Sequence, residues 1–215
     1  MIRFIKKNIW NIILSNLFCL LPILAGLYFW DSLPELLPIH WNMQGETDNY
    51  ATKALVVFGL PIFMTLLNIL CIFATQIDNR GRGQNAKIMT ITFWVFPMIN
   101  IFAYGMTLSS ALGITFNPIK YLPVILGVLF LIIGNYLPKL SYNRTIGIRI
   151  PTTLYDEENW DRTHYFAGKI WVISSFLMML TAFLPIKFLA WAFIPIALIM
   201  VLVPIIYSVI IANKE

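Results

Sequence analysis

Hydrophobic residues in this chain gather in six long runs with polar segments between them. The runs cover 9–30, 54–74, 88–112, 121–138, 168–186 and 188–211. Each approaches the ~20 residues an α-helix needs to cross the hydrocarbon core of a bilayer. Within a run the apolar residues are continuous rather than alternating, which excludes a membrane β-barrel. The pattern predicts an all-α integral membrane protein with six transmembrane helices. Arg3, Lys6 and Lys7 precede the first run, as they would in a signal peptide. That run is longer than a usual signal core and no small-residue cleavage site follows, so it reads as an uncleaved helix. Lys187 alone separates the last two runs, and Leu184-Pro185-Ile186 supplies the break for a tight hairpin there. Pro22, Pro61, Pro97, Pro123, Pro195 and Pro204 fall inside runs and predict kinks.

Composition narrows the class further. The 215 residues are 59% hydrophobic and only 12% charged, about half the charged share of a soluble domain. So few charges cannot coat a water-soluble globule. A soluble enzyme, a disordered regulator and a disulfide-stapled secreted peptide are thereby excluded. Cys19 and Cys71 lie inside apolar runs without paired spacing, so they read as small core residues.

Charge distribution sets the orientation. With the amino terminus in the cytoplasm, Arg3, Lys6, Lys7, Arg80, Arg82, Lys87, Lys139, Arg144, Arg149, Arg162, Lys169 and Lys214 all fall inside. Only Lys53, Lys120 and Lys187 fall outside. This inward bias of Lys and Arg predicts that both termini are cytoplasmic. The net charge of +5 is then a topology signal, and no direct contact with nucleic acid is expected. Two parts follow. Residues 1–112 form an N-terminal three-helix part with an outer loop at 31–53. Residues 113–215 form a C-terminal three-helix part with a cytoplasmic loop at 139–169. No ionisable residue sits well inside a run, which argues against a pump or a charged-substrate carrier. Asn11, Asn16, Asn68, Asn100 and Asn135 read as interhelical hydrogen-bonding groups.

The outer loop carries Asp31, Glu35, Glu46 and Asp48 against Lys53. This acidic face would attract a cationic ligand. Pro34 and Pro38 stiffen its entry, and Gly45 with Thr47-Asp48-Asn49 supplies turn chemistry, so the loop is expected to be ordered. His40 with Asp48 or Glu46 is a candidate metal pair, and His40 with Asp48 a candidate acid–base pair. Neither spacing matches a standard motif. The plainer reading places Trp41 and Tyr50 at the membrane interface and His40 in a loop hydrogen-bond network.

In the inner loop, Thr153 and Asp156 suggest a capping box, and a helix is expected from about Leu154 into the fifth run. Glu157, Asp161 and His164 would share one face of it. They are a candidate metal set; the plainer reading is a solvated face with His164 in a local ion pair. His40 and His164 are the only histidines and lie on opposite sides of the predicted membrane, so they cannot share a site. Neither a bound metal nor a cofactor is expected. Asn143-Arg144-Thr145 is a formal glycosylation sequon placed on the cytoplasmic side, where it has no meaning.

The two loops carry a resemblance. Leu37-Pro38-Ile39-His40-Trp41-Asn42, then Gly45, Asp48 and Lys53, is similar to a P-x-H-W/F-N-x-x-G-x-x-D pattern followed by a basic residue. That pattern marks a small domain of unknown function at the start of the SdpI family of bacterial membrane immunity proteins. The inner segment resembles the same family over Gly134-Asn135-Tyr136-Leu137-Pro138-Lys139, Asn143, Gly147-Ile148-Arg149, Pro151, Thr153-Leu154, Trp160, Thr163-His164 and Gly168-Lys169. The family usually has Thr before this Pro and Trp after it; here Ile150 and Thr152 stand there.

The resemblance implies a multi-pass protein of the bacterial cell membrane that is not an enzyme and protects its producer against a secreted peptide toxin. It also implies signalling, in which the toxin-bound protein draws a cytoplasmic winged-helix repressor to the membrane. Candidate toxin contacts are then His40, Trp41, Asn42, Gly45, Glu46, Asp48 and Lys53. Candidate cytoplasmic contacts are Asn135, Asn143, Gly147, Arg149, Pro151, Thr153, Trp160, Thr163, His164 and Gly168. Two other readings compete: a metal-dependent membrane hydrolase using His40 and Asp48, and a small-molecule or lipid carrier.

Overall fold

A computed structural model describes residues 2–77, 86–114, 117–144 and 146–213. Arg80, Arg82, Thr145 and Lys214 lie outside the described residues. The chain divides into two compact units, Met1–Ile77 with Met89–Pro118, and Asp78–Ile88 with Ile119–Glu215.

The first unit opens with α1 (Ile2–Leu20) and α2 (Pro22–Tyr28). Pro22 has no N–H to extend the ladder, so the helix breaks at Leu21 and restarts. A short turn at Trp30–Ser32 leads into two strands, β1 (Leu36–Trp41) and β2 (Thr47–Thr52). A π-helical turn at Leu55–Gly59 then enters α3 (Leu60–Ile77), and α4 spans Ala86–Ala111. The expected all-α layout is corrected here: the loop at 31–53 contains an antiparallel β-hairpin. Its core contact is Leu37, fully buried with Leu33, Val56, Val57, Tyr104 and Leu108. Deeper in the unit, Ile72 and Phe93 pack with Phe4, Ile12 and Trp94. Asn68 and Asn100 bridge helices as expected. Asn68 Nδ2 donates to Ser15 Oγ and Asn16 Oδ1, and Asn100 Nδ2 to the Cys19 carbonyl at 2.7 Å.

The second unit holds α5 (Pro118–Tyr136), α6 (Pro151–Leu154), α7 (Glu157–Thr181) and α8 (Ile186–Ala212). The helix expected from Leu154 instead breaks at Tyr155. Asp156 caps α7, its Oδ1 accepting from Glu158 N at 2.8 Å, and Glu157 and Glu158 sit in the positive first turn. Pro185 is the N-cap of α8 and ends the tight turn after α7. Pro97, Pro123, Pro195 and Pro204 all lie inside helices.

Five described segments are long and apolar enough to cross a bilayer: Phe4–Tyr28, Leu55–Thr75, Thr90–Ala111, Pro118–Lys139 and Ile186–Ala212. The 25-residue α7 is long enough, but its first turns carry Glu157, Glu158, Asp161, Arg162 and His164.

Candidate functional site

The β1–β2 hairpin is built by its own motif residues. Asn42 follows β1 and closes the turn: its Oδ1 accepts from Gln44 N and Glu46 N, both at 3.0 Å, and its Nδ2 donates to Glu46 Oε2. Gly45 occupies φ +83°, a conformation that L side chains rarely adopt. Across the strands His40 Nδ1 meets Asp48 Oδ1 at 2.6 Å, with both side chains exposed. Lys53 is buried at the hairpin base. Its Nζ donates to the Trp30 and Leu33 carbonyls, pairs with Glu35 at 3.1 Å and lies over the Trp30 ring. Water-screened pairs such as His40–Asp48 add little stability, whereas the buried ammonium of Lys53 depends on its carbonyl partners.

One face of the hairpin roofs an apolar groove of about 450 Å³. Ile39 and Trp41 of β1 line it, with Leu55, Leu60, Phe63 and Thr107 opposite. Exposed Glu46 and Asp48 stand on the same hairpin. The outer candidates therefore fall into two sets. Asn42, Gly45 and Lys53 hold the hairpin's shape, while His40, Trp41, Glu46 and Asp48 present side chains at its surface or groove.

The inner motif folds around one histidine. Ile148 N–H donates to His164 Nε2 at 2.9 Å, so that nitrogen is an acceptor and Nδ1 carries the proton, donated to the Trp160 carbonyl at 2.8 Å. The ring stacks on Trp160 with centroids 4.0 Å apart. Burial pushes the imidazole down to about 4 from its usual 6.5, opposed in part by the bond to the Trp160 carbonyl. Protonation would also set a new N–H against that of Ile148. The solvated, ion-paired His164 of the sequence reading is thus replaced by a neutral core residue, 1% exposed. Exposed Glu157 and Asp161 do not join it in a ligand set. No group of three or more His, Cys, Asp or Glu is placed to hold a metal among the described residues.

The remaining inner motif residues brace this centre. Gly147 at φ +121° lets the backbone pass close to the His164 and Trp160 rings. Asn143 Oδ1 accepts from Ile146 N at 2.7 Å. Thr153 Oγ1 donates to the Ile148 carbonyl at 2.7 Å and accepts from Ile150 N. Pro151 starts α6. Trp160 is fully buried, and its indole N–H donates to the Leu140 carbonyl at 3.0 Å. Thr163 Oγ1 donates to Asn159 Oδ1, which also accepts from Ser208 Oγ of α8 at 2.6 Å. Arg149 is exposed and donates to the Arg144 carbonyl. Asn135 is also exposed, and buried Gly168 lies against Pro138.

Sequence reasoning missed Asn159, Ser208 and Tyr142. Asn159 Nδ2 donates to the Ser208 carbonyl, and the Tyr142 hydroxyl to that of Leu154. Asn159 lies one residue before Trp160 and four before Thr163, on the buried side of α7, and that periodicity was its only signal.

Apolar helices joined by two ordered polar segments define a multi-pass helical membrane protein. The C-terminal segment 139–208 matches the SdpI/YfhL protein family, and 17–65 matches a domain of unknown function, DUF1648. "Immunity protein SdpI" of Bacillus subtilis (strain 168) is 28% identical over 182 residues, covering 83% of this chain and 82% of that one. The chain is thus similar to the SdpI family over its C-terminal third and to one immunity protein over most of its length. No solved structure matches it significantly.

Proposed function

We propose that this chain is an immunity protein of the bacterial cell membrane that protects its producer against a secreted peptide toxin. The similarity to the Bacillus subtilis immunity protein over four-fifths of both chains carries this reading. In it the chain crosses the membrane six times with both termini inside, as the distribution of Lys and Arg favours. The outer hairpin meets the toxin: Glu46 and Asp48 attract a cationic peptide, and the groove under Ile39 and Trp41 receives an apolar side chain. The inner segment is a rigid platform for a cytoplasmic winged-helix repressor, with Arg149 among its exposed motif side chains. The protein performs no catalysis in this reading.

The test is expression in a sensitive bacterium challenged with candidate secreted peptides. The expected result is survival that the empty vector does not give; uniform killing overturns the proposal. Glu46→Gln with Asp48→Asn should lower protection, and more so at low salt, because attraction between exposed charges is screened by ions. Equal protection at both salt concentrations would remove the hairpin charges from recognition.

A further inference from the structure

A second groove lies in the C-terminal unit, where α7 crosses the end of α5. It encloses about 340 Å³ between Asn135 and Pro138 on one side and Tyr165, Lys169, Val172 and Ile173 on the other. Its floor is low because both helices place glycine there. A Cβ on Gly168 would stand 2.7 Å from the Pro138 ring and 2.9 Å from the Gly134 carbonyl. The lining changes in chemistry along α7. Lys169 stands at one end, its ammonium 4.3 Å from the Tyr165 ring centroid, and exposed Asn135 lines the α5 side. Lys139 follows Pro138 at the same helix end, its ammonium over Tyr136. One turn further along α7, Val172 and Ile173 are apolar, and Ile173 is 59% exposed.

The lysines have charge to spare. Arg162 of α7 already pairs with Glu158, while neither Lys139 nor Lys169 has a carboxylate partner among the described residues. Both sit where α5 ends and the apolar part of α7 begins, which is headgroup depth when both helices cross the bilayer. We propose that this groove binds an anionic phospholipid, its phosphodiester between Lys139, Lys169 and Asn135 and an acyl chain along Val172 and Ile173. A free anion would use only the cationic end. A second copy of the chain would use the apolar end and leave two ammonium groups unmatched. A lipid satisfies both, and a bilayer presents it at high local concentration. The site is independent of the immunity reading.

The test uses the full-length protein in neutral detergent, with lipid adducts counted by native mass spectrometry. Phosphatidylglycerol should bind in preference to phosphatidylcholine. Lys139→Gln with Lys169→Gln should weaken phosphatidylglycerol binding by about thirtyfold, about fivefold for each lysine, while Lys187→Gln leaves it unchanged. Ile173→Asp should weaken the binding of every lipid. Circular dichroism and the melting temperature show whether each variant is folded, and the lysine changes at exposed positions should leave both intact. Equal binding of the two lipids overturns the proposal, as does full binding by the double lysine variant. Inorganic phosphate that displaces the lipid at similar concentration would reduce the groove to an anion site. Lipid-free dimers abolished by Ile173→Asp would make it a helix-pairing face.

Discussion

His164 shows how one side chain sets the behaviour of a segment thirty residues long. Its ring is fixed as the Nδ1–H tautomer, because Nε2 already accepts from Ile148. Folding lowers its pKa from 6.5 to about 4, so between those values the unfolded segment binds a proton that the folded one does not. Stability is therefore complete above about pH 6.5 and falls as the pH drops towards 4, by ~3 kcal/mol in all. Amide exchange at Ile148 and the near-ultraviolet signal of Trp160 should report this loss in wild type. A His164→Phe variant should be less stable but flat across the window. A wild type equally stable at pH 7 and pH 4 would sink the assignment. Gly147 gives a second expectation. At φ +121°, and with a Cβ only 2.5 Å from His164 Nε2, Gly147→Ala should cost about 1–3 kcal/mol, read as a lower melting temperature of the purified protein.

Among the elements, the hairpin is the one whose residues are plainest and whose strands are most hidden. Its residues were legible as a motif, and their turn chemistry made an ordered loop the expectation, but the strands were not foreseen. Alternation is present in Leu37, Ile39 and Trp41 but absent from Thr47–Thr52, where Tyr50 and Ala51 are neighbours. It is blurred by Pro38 and by register shifts on both sides of His40, which break the period on which strand recognition depends. Lys53 was equally opaque: in sequence it is one basic residue among acids, whereas in the fold it clamps both ends of the loop. Lys53→Met leaves the Trp30 and Leu33 carbonyls without their donor and should cost ~1–3 kcal/mol locally. Limited proteolysis should then cut within 31–53, where wild type resists. Glu35→Gln touches the same ammonium from an exposed position and should cost under ~1 kcal/mol. Equal cleavage of the two variants would mean that the ion pair, not the carbonyls, holds the hairpin base.

At the scale of the whole molecule, the hydrophobic runs predicted the helices well, because a run is a local property and needs no knowledge of its neighbours. What the runs could not show was pairing. The approach of Gly168 to Gly134 and the Asn159–Ser208 bond each join residues more than thirty positions apart. Topology stands between these cases, and α7 decides it. Its last three turns carry no charge, yet its charged start keeps it out of the five segments that pass on length and composition alone. Single cysteines in a Cys19→Ala, Cys71→Ser background test the two alternatives through Glu46→Cys, Tyr155→Cys and Phe183→Cys. The last two positions are 88% and 85% exposed and flank α7. If α7 crosses, a membrane-impermeant maleimide labels positions 46 and 183 in intact cells and reaches 155 only after permeabilisation. If α7 lies on the inner surface, 155 and 183 share a side and both stay unlabelled until the membrane is opened. That outcome would also move the carboxyl terminus outside and remove the orientation on which the toxin-facing hairpin and repressor-facing platform are jointly assigned.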